Sequence, residues 1–199
     1  MGRNPDINEK VKDERRAVIL SKALRLFAAN GLAATKISHI AEAAGMSQGL
    51  MYHYYQSKEQ IFTELIRVSF ERMNKAVKEL EKLEMPPKEK IRLALEHLIK
   101  GIDAHADTGF YHLLIAQATA SDVIPEEAKA VIQKQNRLPY QVIGKIIREG
   151  QEAGEFCDHD PDELAMIFWT SIKGLSMHKA AFGKAMKSPD PDILMKVFL

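Results

Sequence analysis

The sequence predicts an all-α protein, with a three-helix unit over residues 1–58 followed by a helical bundle over 59–199. Three observations support this. Apolar residues recur three and four apart along almost the whole chain, and no run of alternating β-branched residues interrupts them. Glycine and proline punctuate the pattern at Gly31, Gly45, Pro86-Pro87, Pro139 and Pro161. Charge divides the chain as well: residues 1–58 carry nine Lys+Arg against five Asp+Glu, a net +4, and residues 59–199 carry nineteen against twenty-two, a net −3. A basic first third on an otherwise acidic chain points to an anionic partner at the N-terminal end.

The elements follow in order. The first helix is expected over about 14–30, with Ala17, Leu20, Leu24 and Phe27 on one stripe, Asp13 as N-cap and Asn30-Gly31 as the stop. A short second helix follows Thr35 and turns Ile37, Ile40, Ala41 and Ala44 inward until Gly45 breaks it. Ser47 is a good N-cap for a short third helix. Ser57-Lys58-Glu59-Gln60 reads as a capping box for a long helix that runs through Ile61, Leu65, Val68, Met73, Ala76, Leu80 and Leu83 to Pro86-Pro87. Further helices are expected at about 88–104, 110–119 and 126–153, the last kinked or broken at Pro139. Asp160-Pro161-Asp162-Glu163 opens a helix to about 182 that is apolar on most sides, and a short helix from Asp192 leads to Val197-Phe198-Leu199.

Composition excludes several classes. With 46% hydrophobic residues and a net charge of +1, the chain is not disordered. At this length about 70% of the unfolded surface can be buried, so no disulfide or metal is required. Cys157 is the single cysteine, which suits a reducing cytoplasm. No stretch of eighteen uncharged apolar residues argues for a membrane span, and no signal peptide follows the first residues. There is no glycine-rich phosphate loop and no Gly-x-Ser-x-Gly, and Cys157-Asp158-His159 lies in a short polar connector, so an enzyme is not expected. His105 and His112 lack metal-ligand spacing, and neither a metal nor another cofactor is expected.

The informative stretch is Thr35 to Tyr54: short helix, glycine turn, short helix. That is the shape of a helix-turn-helix, whose second helix lies in the major groove. Ala41 lets the two helices approach, and Met46 and Met51 anchor them. Gln48, Gly49, Tyr52, His53 and Tyr54 remain for the outer face. Glutamine pairs with an adenine edge, glycine lets the backbone come close, and tyrosine hydroxyls donate to phosphates. Lys58 adds charge beside the next helix.

Thr35-Lys36-Ile37-Ser38-His39-Ile40-Ala41-Glu42-Ala43-Ala44-Gly45-Met46-Ser47-Gln48-Gly49-Leu50-Met51-Tyr52-His53-Tyr54-Tyr55-Gln56-Ser57-Lys58-Glu59, with Ala23-Leu24-Arg25-Leu26-Phe27-Ala28-Ala29-Asn30-Gly31 before it, resembles the DNA-binding segment of tetracycline-repressor (TetR) family regulators. The resemblance runs without a gap from about residue 15 to 63. It implies a homodimer that binds a palindromic operator in double-stranded DNA and releases it when a small ligand enters the C-terminal domain. By that similarity Thr35 and Lys36 stand where the family contacts phosphate. Ser47, Gln48, Gly49, Leu50, Tyr52, His53 and Tyr54 match the recognition helix, and Lys58 matches a phosphate-contacting lysine. Leu50 departs from the usual threonine and Tyr55 from the usual inward phenylalanine, whose added hydroxyl then needs a partner.

A ligand domain of this type needs a mostly apolar cavity with a few orienting polar groups. The candidates are Met73, His105, Phe110, Tyr111, Leu114, Gln117, Tyr140, Trp169, Lys173 and Met177, which would suit a small hydrophobic or amphipathic effector. Leu164, Phe168, Ile172, Leu175, Phe182, Val197 and Phe198 are the expected self-association surface. Since neighbours on a helix point about 100° apart, one of Phe168 and Trp169 is expected to face the cavity and the other the seam. Two other readings stay open on the same residues: a regulator that needs no ligand, or an activator; and a helical module whose 35–54 unit contacts protein instead of DNA.

Overall fold

The computed structural model describes residues 5–104 and 107–199. Among them are ten α-helices: α1 (Pro5–Ala34), α2 (Ile37–Ala43), α3 (Gln48–Tyr52), α4 (Lys58–Lys82), α5 (Pro87–Ala104), α6 (Thr108–Thr119), α7 (Glu126–Gln135), α8 (Leu138–Glu152), α9 (Pro161–Phe182) and α10 (Pro191–Met195). No strand is present among the described residues, and the expected all-α class holds.

Most helix ends follow the expected chemistry. Gly31 takes φ 75° and closes the regular part of α1, and Gly45, at φ 67°, makes the turn between α2 and α3. Ser47 caps α3 by accepting from the Leu50 amide, and Asp160 caps α9 by accepting from Asp162 and Glu163. The same Asp-Pro-Asp sequence recurs at 190–192, where Asp190 accepts from the Asp192 amide and opens α10. Pro139 breaks the expected 126–153 helix into α7 and α8, and it lies in the first turn of α8, where its missing N–H costs nothing.

Two ends differ from expectation. Helix α1 begins at Pro5, so Asp13 lies mid-helix and caps nothing. Residues 6–13 hold no breaker, and Pro5 is suited to a first helical position. Gln60 does reach back, but to the Gln56 amide at 2.9 Å instead of that of Ser57, while Ser57 accepts from the Gln60 amide as expected.

Two apolar clusters form the core. One gathers Ile19, Leu24 and Phe27 of α1 with Ile40, Met51, Tyr55, Leu65, Phe70, Leu114 and Ile132. The other gathers Val77, Leu95, Ile146, Phe168, Trp169 and Phe198. The first spans α1 to α4 and also draws on α6 and α7. Helix α1 has a stretch long and apolar enough to cross a membrane by composition, but Ile19, Ala23, Leu24 and Phe27 bury its stripe in this cluster. Helices α6 and α9 approach so closely at Gly109 that a Cβ there would collide with the Ser176 carbonyl.

Candidate functional site

The helix-turn-helix is held from behind. Ile40, Ala41 and Met51 are buried, and the Met46 amide donates to the Ala41 carbonyl at 2.9 Å across the Gly45 turn. Tyr55 is buried beside the Arg16–Glu64 ion pair, whose partners stand 2.8 Å apart and tie α1 to α4. The guanidinium of Arg16 lies over the Tyr55 ring, 5.2 Å from its centre. The Tyr55 hydroxyl completes no hydrogen bond to either charge, and burial, with Glu64 behind it, pushes its pKa up to about 12.

With that support behind it, α3 turns Gln48, Gly49 and Tyr52 outward, and Ser47 and His53 flank them in solvent. Tyr52 is 49% exposed although it is a large aromatic. The recognition helix is shorter than the expected 47–54: His53 is its C-cap and Tyr54 lies beyond it, half-buried against the first cluster. Leu50 is half-buried on the same short helix.

Two expected phosphate contacts are otherwise engaged. Thr35 is wholly buried, and its hydroxyl donates to the Gly31 carbonyl at 2.7 Å. Lys58 donates to the carbonyls of Leu32, Ala33 and Thr35 at 2.8, 3.0 and 2.8 Å. All three ammonium protons are thereby spent on the carbonyls where α1 ends, a charge-assisted C-cap that fixes the join to α2. Lys36 precedes α2 and is exposed.

A cavity of about 890 Å³ lies among α1, α4, α5, α6, α8 and α9. Helix α4 contributes one wall with Ser69, Arg72, Met73, Ala76, Leu80 and Leu83, which recur three and four apart. Of the ten residues read from sequence, Met73, Tyr111 and Trp169 line it, and His105 lies outside the described residues. The other six are not on its wall. Leu114 is core, and Gln117 donates to the Ala28 carbonyl. Lys173 and Tyr140 bond each other at 2.7 Å, Phe110 packs on the first cluster, and Met177 is exposed on α9.

Sequence reasoning missed Arg25, Arg72, His97 and Asp107, which do line the cavity, and placed His112 only in a rejected metal pair. The available signal was Ser69 and Arg72, polar residues set within the apolar stripe of α4. Burial, with the charge of Lys173, pulls the His112 imidazole down to about 4. Phe168 and Trp169 both line the cavity, with rings edge-to-face and centres 5.2 Å apart, so the expected split between cavity and seam does not occur.

The expected self-association residues divide in the same way. Leu164, Phe168, Ile172 and Phe198 are buried within the chain, so none of them can form a seam. The tail folds back: Phe198 packs on Phe168, and its carbonyl accepts from the Cys157 amide at 2.9 Å. Leu175 is half-buried, and Phe182 and Val197 are exposed. The outward face of α9 instead carries Met166, Ile167, Gly174 and Met177. An all-round apolar helix gives no sequence signal for which side is outward.

Comparison with known proteins adds a consistent result. The sequence profile described as "Bacterial regulatory proteins, tetR family" matches residues 19–65. The transcriptional repressor KstR2 of Mycobacterium tuberculosis is 25% identical over 166 residues, 81% of each chain. Its solved structure, a ketosteroid transcriptional regulator, superposes with TM-score 0.74 at 21% identity, over 92% of this chain and 94% of that one. The uncharacterized transcriptional regulator YfiR of Bacillus subtilis is 27% identical over 185 residues, covering 90% of this chain and 86% of its own. AibR, solved with isovaleryl coenzyme A and operator DNA, shares the fold at TM-score 0.71 and 18% identity, over 92% and 95% of the two chains.

Proposed function

This chain belongs to the TetR family of bacterial regulatory proteins, and from that premise we propose that it is a homodimeric repressor that reads a palindromic operator with α3 and releases it when a small hydrophobic or amphipathic molecule fills the cavity. It is a DNA-binding transcriptional regulator and not an enzyme. The observation that carries the reading is the outer face of α3. A five-residue helix rigidly backed by Met51 presents Gln48, Gly49, Tyr52 and His53 to solvent, free of packing. Gln48 suits an adenine edge, Tyr52 a phosphate or a thymine methyl, and exposed Lys36 the phosphate backbone. Buried Thr35 and engaged Lys58 shape this unit from within.

A dimer must set two such helices about 34–36 Å apart to read successive major grooves. The outward face of α9 supports that assembly. Met166, Ile167 and Met177 are 52%, 38% and 38% exposed, and Gly174 has open space where a side chain would stand. An apolar face of this kind on a helix whose other face is core is suited to pair with its copy. Such a regulator works in the cytoplasm, where its operator is.

The test is fluorescence anisotropy against the DNA upstream of the gene, with a shuffled duplex as control and several salt concentrations. Tighter binding to the upstream duplex is expected, with affinity falling as salt rises. Tyr52→Ala and His53→Ala should each remove about tenfold or more of the preference for that duplex. Indifference to both changes would favour a protein partner for the same face.

A further inference from the structure

We propose that the cavity takes an amphipathic monoanion, a carboxylate on an aliphatic body, whose head is received by Arg72 and competes with Asp107 for Arg25. This rests on the reading of the cavity as an effector site.

Both arginines of the cavity stand toward one end, while Glu79, which is exposed and paired with Lys75, and His97 are polar groups on the rest of its wall. Ser69 on α4 and Leu83, the residue that caps it, mark its limits, and the fourteen steps between them rise about 21 Å. At the Ser69 end stand Arg25, Arg72, Asp107, Thr108 and Tyr111, and toward the other end the walls are Leu80, Leu83, Leu93 and Ala94. The occupant is therefore long, with a polar head beside α1 and an apolar tail toward the α4–α5 turn.

The hydrogen bonds at the polar end narrow the head group. The Ser69 hydroxyl donates to Leu65 at 2.6 Å and the Thr108 hydroxyl to Gly101 at 3.3 Å, so neither has a proton to spare. Arg25 is held by Asp107 through Nε at 2.9 Å and Nη2 at 2.7 Å. Arg72 lines the cavity with its side chain exposed in part to solvent, and it has no carboxylate in ion-pair range among the described residues. Two guanidiniums against one carboxylate leave one positive charge at this end. An anionic head satisfies it with paired hydrogen bonds, a neutral head leaves Arg72 without a counter-charge, and a cationic head is repelled. Burial keeps His112 neutral, so it supplies a donor and an acceptor along the wall but no charge.

The same groups reach the DNA-binding unit. Asp107 accepts from Arg25 and also from Ser21 at 3.2 Å, both on α1. Among the described residues it forms the ion pair that joins α1 to α6. A ligand carboxylate on Arg25 replaces one anion with another there, but it leaves Asp107 without its guanidinium, so α1 loosens from α6. Head chemistry, beyond filling of the cavity, then bears on operator binding.

The test uses the full chain and three head groups on the same tails: octanoate, dodecanoate and hexadecanoate, with the matching alcohols and primary amines, all below their micellar range. Binding is read by thermal shift and titration, and release by anisotropy of the upstream duplex. At least one carboxylate should bind about tenfold or more tighter than its alcohol and amine. Arg72→Met should abolish that preference by lowering the carboxylate's affinity to about that of the alcohol, and Asp107→Asn, which removes the competitor, should tighten the carboxylate several-fold. The proposal is overturned if no carboxylate binds, if alcohol or amine binds as tightly, or if either variant leaves the carboxylate's affinity unaltered. Release of DNA by all three head groups alike would keep the effector reading and overturn this assignment. Selective carboxylate binding that leaves the DNA complex intact would overturn the release mechanism and keep the head group.

Discussion

Tyr55 and His112 show how much a single side chain's surroundings decide. The Tyr55 hydroxyl is buried and unpartnered beside Arg16 and Glu64, so it carries a desolvation cost with no hydrogen bond to offset it. Tyr55→Phe should therefore hold stability level or raise it by up to about 1 kcal/mol in urea denaturation. A loss larger than that would reveal a partner for the hydroxyl. His112 carries a pH dependence. Its pKa in the folded chain is pulled to about 4, against about 6.5 in the unfolded chain. Above pH 6.5 neither state is protonated, and the stability tied to this group is whole. Between 6.5 and 4 the unfolded chain binds a proton that the folded chain does not, so stability falls as pH falls. His112→Gln should flatten the decline between pH 6.5 and 4, where one such proton is worth at most about 1.4 kcal/mol per pH unit. Parallel curves for the two proteins would exclude the assignment. The need for a Tyr55 partner was legible in sequence, because tyrosine stood at an inward position. The His112 setting was not, since it depends on burial against a cavity built from five other helices and on the charge of Lys173.

At the scale of elements, helix ends marked by a breaker or a cap were easier to read than faces. Gly31, Gly45, Pro139 and the two Asp-Pro-Asp sequences act through local backbone chemistry, which a sequence carries in full. The start of α1 was misread because residues 6–13 merely permit a helix, and the charged Asp13 resembled a cap. The faces of α9 were misread because Leu164, Phe168 and Ile172 are as apolar as Met166 and Ile167, and only the positions of α6 and α8 decide which are covered. Lys58 belongs to this scale also: it fastens the last turn of α1 to the first of α4. We expect Lys58→Met to cost about 1–3 kcal/mol of stability, since it removes charge-assisted bonds to three carbonyls. The salt dependence of operator binding should stay as it was. A slope lower by about one, with stability intact, would return Lys58 to the phosphate.

For the whole molecule, the exposed stripe of α9 sets the expected assembly. Ile167→Glu places a charge in the middle of that stripe without touching the buried side, so light scattering should report monomer while the helical circular dichroism and thermal midpoint stay close to the parent. An unchanged dimer would move the seam to another surface. The expected division at residue 58 has to be weighed against the first core cluster, in which Ile19, Leu24 and Phe27 pack with Leu65 and Phe70 of α4 and with Leu114 and Ile132 farther on. The reading unit and the bundle share one interior there. Met73 packs against both clusters and also lines the cavity. The distance between what fills the cavity and what steadies the reading head is therefore one methionine wide. Whatever fills the cavity would press on a wall that the two halves of the chain already have in common.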